Sequence, residues 1–214
     1  MAPPHRPLHR GAPVITVQDG VVRLDDEGVA ALLGGDDHLA VLPHMERAGL
    51  RTAQDTLRRP VVTLEVLVAG SSLQLHRVAV DAERAVLLLA VRPGLHQLMV
   101  LPPSHVAAAL VRMTRTGPRR ACGSGRRAAP AQAAARLLSA DANERRDVLL
   151  EAGAALAWRL RVVWNGERRD LVVVDGTDGL HVLDDEEALL PVSATTLYRV
   201  FSTALPPGAL EQRA

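Results

Sequence analysis

Residues 60–68 alternate between apolar and polar or small positions with the period of two that is typical of a β-strand. One face of this strand is aliphatic: Val62, Leu64, Val66 and Val68. Three short segments with turn-forming residues follow it: 69–72, 81–84 and 92–94. The aliphatic stretches between these turns have strand length, so residues 60–101 are predicted to form four antiparallel strands in a meander.

Helices are predicted on both sides of this meander. Pro102 and Pro103 end the last strand, and Ser104 is expected to cap a helix through Met113. Upstream, residues 14–17 suggest a strand that continues over residues 21–24. Asp25 can cap a helix through Leu33, and Asp36 or Asp37 can begin another helix that ends at Gly49.

The second half of the chain repeats the order of the first. Strands are predicted at residues 160–164, 171–175 and 180–183, with the hairpin signal Asn165–Gly166 after the first of them. Ser193 is then expected to cap a helix through Ala204. Before these strands, residues 131–138 and 142–158 are predicted to be helical, and the second helix has an apolar stripe: Val148, Ala152, Ala155 and Leu156.

Sequence matches between the halves support a duplication. LEVLVAG at residues 64–70 matches LRVVWNG at 160–166, and VLPPS at 100–104 matches LLPVS at 189–193. The predicted fold class is α/β of the α+β type, with two pseudo-repeated antiparallel β-meander plus helix units and additional helices. The predicted divisions are a flexible tail (1–13), a first half (14–113), an Arg/Gly-rich linker or loop (114–130), a second half (131–205) and a tail (206–214).

Composition narrows the class of protein. The chain of 214 residues is 48% hydrophobic, enough for a substantial core, and its net charge of +1 gives no reason to expect nucleic acid or a membrane surface as partner. A lone cysteine, Cys122, excludes an internal disulfide and fits a reducing compartment. The N-terminus shows no signal peptide, and no apolar run is long enough to span a membrane. We therefore expect a cytoplasmic protein.

No residues suggest a catalytic centre. Phosphate-binding, dinucleotide-binding, serine-hydrolase and metalloprotease motifs do not occur. His5 and His9 lie in a Pro-rich tail, Asp36 and Asp37 are better explained as a helix cap, and Cys122 is followed by the loop-forming residues Gly123, Ser124 and Gly125. We predict a protein with no catalytic residues, no metal and no cofactor.

Six arginines between Arg112 and Arg127 form a basic segment. Arginine binds phosphate groups, so a nucleic-acid-binding or regulatory role is an alternative. No aromatic residues are interspersed for base stacking, so a solubilising loop explains the segment better, and an acidic protein partner is an intermediate alternative. A small enzyme without a recognisable motif is the third alternative.

The order of motifs resembles a known family. The motifs are PVVTLEVLV at residues 60–68, RVAVD at 77–81, AVLLLA at 85–90 and RRDLVVVDGTDGL at 168–180, with a Pro-started helix closing each half. This pattern is similar to the EspG family, the actinobacterial chaperones associated with type VII (ESX) secretion. The resemblance implies an EspG-like fold and a cytosolic substrate-specific chaperone without enzymatic activity.

The resemblance also implies a partner and a site. The partner would be a helical secretion substrate of the PE/PPE or WXG100 type, and membrane and nucleic acid would not be partners. In the family, the loop between the second and third strands helps to hold the substrate. The corresponding hairpin here is short, and its predicted partner-binding residues are Leu67, Ala69, Gly70, Ser71, Ser72 and Leu73.

Overall fold

The structure is a computed structural model that describes residues 15–18, 21–33, 42–47, 51–118, 123 and 125–206. Within these residues, an antiparallel sheet of eleven strands forms the centre of the fold. The strands are β1 (Ile15–Gln18), β2 (Val21–Leu24), β3 (Val62–Ala69), β4 (Leu73–Val80), β5 (Ala85–Arg92), β6 (Leu95–Leu101), β7 (Arg127–Ala128), β8 (Ala154–Trp164), β9 (Glu167–Gly176), β10 (Gly179–Leu183) and β11 (Ala188–Val192). The helices are α1 (Asp26–Leu32), α2 (Leu42–Arg47), α3 (Ala53–Arg58), α4 (Val106–Met113), α5 (Ala133–Leu137), α6 (Ala142–Glu151) and α7 (Ala194–Ser202).

Two meander–helix units meet in the middle of the sheet. The strand order is β1-β2-β6-β5-β4-β3-β8-β9-β10-β11-β7, so the first strand of each unit, β3 or β8, lies beside that of the other. These two strands pair antiparallel from Val62 opposite Trp164 to Ala69 opposite Ala157. The predicted fold class is therefore confirmed: the protein is α+β, with two antiparallel meanders, each followed by a helix, and additional helices. The outermost strands of the sheet, β1 and β7, are short.

The first face of the sheet is covered by α4 and α7, which contact each other. The alternate aliphatic residues of β3 and β8 point to this side, as their period of two requires. Trp158 on β8 packs against Phe201 on α7 with ring centroids 5.6 Å apart, and both side chains are fully buried. This is the largest core of the protein.

The second face carries two smaller cores, one near each end of the sheet. Val22, Leu24 and Leu98 pack with α1 and α3 at one end. At the other end α5 and α6 pack on β8, β9 and β11 through Ala157 and Val174. The middle of this face lies between the two helical layers.

Local signals in the sequence place several boundaries as predicted. The Asp25 carboxylate accepts a hydrogen bond from the Gly28 backbone N–H at 2.7 Å, and the Ser193 hydroxyl accepts one from the Thr196 N–H at 3.0 Å. Asn165 (φ 46°) and Gly166 join β8 to β9 with positive φ angles, as a tight hairpin of this kind requires.

The predicted helix over residues 142–158 is wrong in its second half. Helix α6 ends at Glu151, and Gly153 adopts a left-handed conformation with φ 62° before β8 begins at Ala154. Ala155 and Leu156 are therefore strand residues. Their aliphatic side chains fit a helix or a strand equally well, and the left-handed Gly153 ends the helix before them.

Smaller differences occur at other helix boundaries. Ser104 does not cap α4, because a 3₁₀ turn over Pro103–His105 precedes that helix and Ser104 lies inside it. Residues 21–24 do not continue the first strand but form β2, which pairs with it as a hairpin. Helix α2 starts at Leu42, so Pro43 lies in its first turn, where proline is tolerated; Asp36 and Asp37 lie outside the described residues.

The segment predicted as a linker, residues 114–130, is partly built into the fold. Strand β7 pairs with β11, and Thr114 and Thr116 are buried with their hydroxyl groups 2.8 Å apart. Arg126 forms ion pairs with Asp184 and Glu186 at 3.2 and 2.5 Å. Residues at both ends of this segment therefore contact the rest of the fold, and its division as a linker or loop stays a prediction.

Candidate protein-binding surface

The middle of the second face, which we call the central strip, is not covered by the helices on either side of it. Its side chains are half-buried or exposed and belong to β3, β4, β8 and β9: Thr63, Glu65, Leu67, Leu75, Arg77, Arg159, Arg161, Val163, Arg168, Asp170 and Val172. Helical layers lie on both sides, so the strip is a recessed floor that a projecting part of another molecule can reach.

The central strip carries more positive than negative charge. It holds four arginines and two carboxylates: Arg77, Arg159, Arg161, Arg168, Glu65 and Asp170. Arg161 Nε donates to Asp170 Oδ1 at 2.8 Å, and Arg168 Nε donates to Asp170 Oδ2 at 2.7 Å. Arg77 Nε lies 3.5 Å from Glu65 Oε1. Both carboxylates are therefore already engaged.

Asp170 is held in its charged form by these neighbours. Partial burial acts to raise the pKa of the Asp170 carboxyl. The hydrogen bonds from Arg161 and Arg168 outweigh that effect, and the pKa lies below its usual value. The Asp170 carboxylate is thus shared mainly between Arg161 and Arg168.

Arg159 is the cation that the strip leaves without a partner. Its Nε is buried without a hydrogen-bond partner, and the described part of the chain offers its guanidinium no ion pair. Burial, and then the charge of Arg161, lower the pKa of Arg159. Leu67 lies directly opposite it on β3, with Leu75 opposite Leu67 on β4. An unpaired charge therefore lies beside half-buried aliphatic side chains.

The hairpin that the sequence singled out has a mixed environment. Leu67 lies in the central strip, whereas Ala69 is fully buried and Leu73, its partner on β4, is half-buried. Ser71 is exposed at the turn, and the Gly70 N–H donates to the Ser72 carbonyl oxygen at 3.1 Å. A role in partner binding for these six residues stays a prediction.

Arg145 ties the turn of this hairpin to the α5–α6 connection. Its side chain is only 3% exposed, and its Nε donates to the Gly70 carbonyl oxygen at 3.1 Å. Its Nη1 donates to the carbonyl oxygens of Ser139 and Ala140 at 2.6 and 3.4 Å. The turn is therefore anchored against the helical layer and does not project from the fold.

Sequence reasoning missed the central strip as a unit. Arg159 and Arg161 alternate with aliphatic residues on β8, which signals a strand with one polar face. Their approach to Glu65 and Arg77 depends on the pairing of β3 with β8, two strands about ninety residues apart in sequence. The alternation along β8 could have identified Arg159 and Arg161 as residues of a polar face, but it could not predict that they lie near Glu65 and Arg77.

Histidines and acidic side chains form no metal site in the part of the chain that the structure covers. His181 is buried, with Nδ1 3.2 Å from the Gly179 carbonyl oxygen and Nε2 3.6 Å from Asp178. His96 Nε2 lies 2.7 Å from Asp26 Oδ1. Both therefore have structural partners. The other candidates, His5, His9, Asp36, Asp37 and Cys122, lie outside the described residues.

The basic segment is partly neutralised where it can be seen. Arg126 is paired with two carboxylates, and Arg127 donates to the Ala152 carbonyl oxygen at 3.0 Å and lies 3.8 Å from Asp178. Both guanidinium groups form contacts within the protein and are therefore less available to bind phosphate groups. The nucleic-acid alternative itself stays untested. Among the described helices, none has the length and apolarity to cross a membrane.

Similarity to known proteins is found at the level of the fold. No protein-family model matches the chain, and no curated protein matches it in sequence. In fold the chain is similar to the Mycobacterium tuberculosis type VII secretion system chaperone EspG5, seen in complex with a PE25-PPE41 dimer. The TM-score is 0.56 at 12% identity, over 86% of this chain and 95% of that one. The similarity shows an EspG-like fold.

Proposed function

We propose that this protein is a non-enzymatic chaperone or adaptor that binds a helical type VII secretion substrate in the central strip. The similar structure, EspG5, is a chaperone in complex with a PE25-PPE41 dimer, so a substrate of the PE/PPE type, or a related helical one of the WXG100 type, is the proposed partner. The site of action would be the cytoplasm. The family resemblance of the sequence motifs points the same way.

Arg159 is the observation that carries this proposal. Arg159 lies beside Leu67, is half-buried, and has a buried Nε without a hydrogen-bond acceptor, and the charges of Asp170 and Glu65 do not outweigh the cost of its burial. A partner that supplies an acceptor would remove part of this cost. A projecting helical tip suits a recessed floor. Its apolar side chains would cover Leu67 and Leu75, and a carboxylate or the C-terminal carbonyl groups of a helix would pair with the guanidinium.

Co-expression with candidate substrates tests the proposal. The tagged protein is produced together with PE/PPE-type or WXG100-type pairs encoded near its own gene, and the retained proteins are identified after affinity purification. The expected result is a stable complex with one such pair. Leu67→Asp and Arg159→Glu should each reduce its recovery at least tenfold, because each places a carboxylate against the part of the partner that the strip is built to receive.

Leu150→Asp is the matched control. Leu150 lies on α6, is 70% exposed and is not a residue of the strip, so this change should leave recovery unaltered. Circular dichroism of each variant separates loss of binding from loss of folding. Retention of no substrate by the folded wild-type protein would contradict the proposal, and so would equal loss of binding in the strip variants and the control.

A further inference from the structure

A second cavity, unrelated to the central strip, lies on the first face of the sheet beside α4. We call it the α4 cleft. Its volume is about 520 Å³, within the range of roughly 300–1,000 Å³ that small-molecule sites occupy. Its walls are mainly aliphatic and thioether side chains from β5, β6 and α4: Leu87, Leu89, Met99, Leu101, Ala109 and Met113.

Five polar side chains also line the α4 cleft: Gln74, His76, His105, Arg112 and Arg115. His76 is the most informative, because it is only 7% exposed. Its Nδ1 accepts a hydrogen bond from the Ala90 backbone N–H at 3.1 Å, so the proton of the neutral ring lies on Nε2. Burial, and then the charge of His96, lower the pKa of His76 and keep the ring neutral at pH 7.

The polar groups of the cleft are mostly donors, and no acidic residue is among those that line it. His76 Nε2–H, the Gln74 amide and the Arg112 guanidinium can all donate to a bound anion. His105, whose Nδ1 lies 3.3 Å from the Ser104 hydroxyl, adds a second imidazole at the N-terminal end of α4. An apolar cleft with convergent donors and no carboxylate is complementary to a molecule with an aliphatic body and an anionic head.

We propose that the α4 cleft is a binding site for an aliphatic carboxylate of fatty-acid type. The hydrocarbon chain lies against the leucine and methionine side chains, and the carboxylate accepts hydrogen bonds from His76 Nε2–H and Arg112. A neutral lipid would leave the donors without an acceptor, and a positively charged one would be repelled by Arg112.

Calorimetric titration of the full chain with sodium decanoate tests the assignment. Binding should weaken about tenfold from decanoate to octanoate, because each buried methylene contributes about 0.8 kcal/mol. Decanol should bind more weakly than decanoate. Arg112→Gln should weaken decanoate binding about fivefold, and Ala109→Phe should abolish it by filling the cleft.

Arg146→Gln is the control for a general loss of positive charge, because Arg146 lies on α6 over the other face of the sheet. It should bind decanoate like the wild type, and melting curves confirm that every variant is folded. No binding of decanoate at millimolar concentration would overturn the assignment, as would equal binding of decanol. If decanoate does not bind but Ala109→Phe prevents retention of a co-expressed protein partner, the cleft belongs to a protein interface and the assignment is also wrong.

Discussion

Glu65 on β3 lies directly opposite Arg161 on β8, and the two residues occupy the same position in the matched segments LEVLVAG and LRVVWNG. When an approximate two-fold axis relates two units, a residue on that axis in one unit lies opposite the equivalent residue of the other unit. The charges there are opposite, and a directly opposed pair of this kind stabilises a sheet by about 0.2–1 kcal/mol. Two identical units would instead place like charges against each other, so the two halves are complementary at their contact.

Removal of the charge of Arg159 is expected to weaken partner binding without lowering the stability of the protein. Arg159→Met keeps an extended side chain and removes a cation that is half-buried without a partner. We expect the free energy of unfolding to stay the same or to rise by up to about 1 kcal/mol. Urea titration measures this, and the same variant should recover less of the co-expressed substrate.

Arg161→Met is the comparison for Arg159→Met, because Arg161 is paired with Asp170. Removing Arg161 leaves that carboxylate with fewer donors and should lower the stability by about 0.5–1 kcal/mol. A greater loss of stability in Arg159→Met than in Arg161→Met would show that Arg159 is needed for folding and would contradict the assigned role.

Arg145 is expected to be essential for stability. Arg145→Met removes the donors to the Gly70, Ser139 and Ala140 carbonyl oxygens in a buried place, and should lower the free energy of unfolding by about 2–3 kcal/mol. Arg146→Met next to it removes an exposed arginine whose ion pair is with Asp147 alone and should change stability by less than about 0.5 kcal/mol. Equal effects in urea titration would show that the hairpin anchor does not stabilise the fold.

Gly153 is expected to resist substitution. Its φ of 62° ends α6 and turns the chain into β8, and a side chain in this conformation costs about 1 kcal/mol. Gly153→Ala should lower the melting temperature accordingly. Gly117→Ala, at a position with open space around it, should leave the melting temperature unchanged or raise it slightly. Similar shifts in both variants would indicate that the turn at Gly153 does not depend on glycine.

Asp81 should contribute stability that is lost in acid. Burial acts to raise the pKa of the Asp81 carboxyl. The hydrogen bonds that it accepts from the Thr56 hydroxyl at 2.5 Å and from the Glu83 and Arg84 N–H groups outweigh burial, so the pKa lies below its ordinary value. The folded protein therefore holds the carboxylate charged below the pH at which the unfolded chain takes up its proton, near the ordinary value of 3.8. The contribution is complete well above that pH and disappears as the pH falls through the lower folded value.

Asp81→Asn tests this dependence. The variant should lose about 1 kcal/mol relative to the wild type at pH 7, and the difference should shrink towards pH 3. Urea midpoints at both pH values measure it, with Asp185→Asn in the exposed turn before β11 as the control. A constant difference between Asp81→Asn and the wild type at all pH values would mean that the charge of Asp81 is not what stabilises this turn.

Short-range signals in the sequence predicted much of the fold. The features that depend on pairing between distant strands could not be predicted from such signals. The Asn165–Gly166 turn and the Ser193 cap are local chemistry, and the first meander and three of the four strands of the second followed from such signals. Helix α3 (Ala53–Arg58) was missed because its short, mostly polar sequence has no clear apolar period. Residues 154–158 were assigned to a helix because their alanines and leucine suit either structure. The central strip required the β3–β8 pairing, which no local pattern specifies.

Both outer strands of the described sheet offer little to an incoming strand. Strand β1 has four residues and β7 has two, and β11 beyond its pairing with β7 contains Pro191, which has no N–H to donate. A long aliphatic sheet with open ladders at its margins would be a template for cross-β association between copies. Here both margins are short, so the proposed partner would meet a face of the sheet and would not extend its hydrogen-bond ladder.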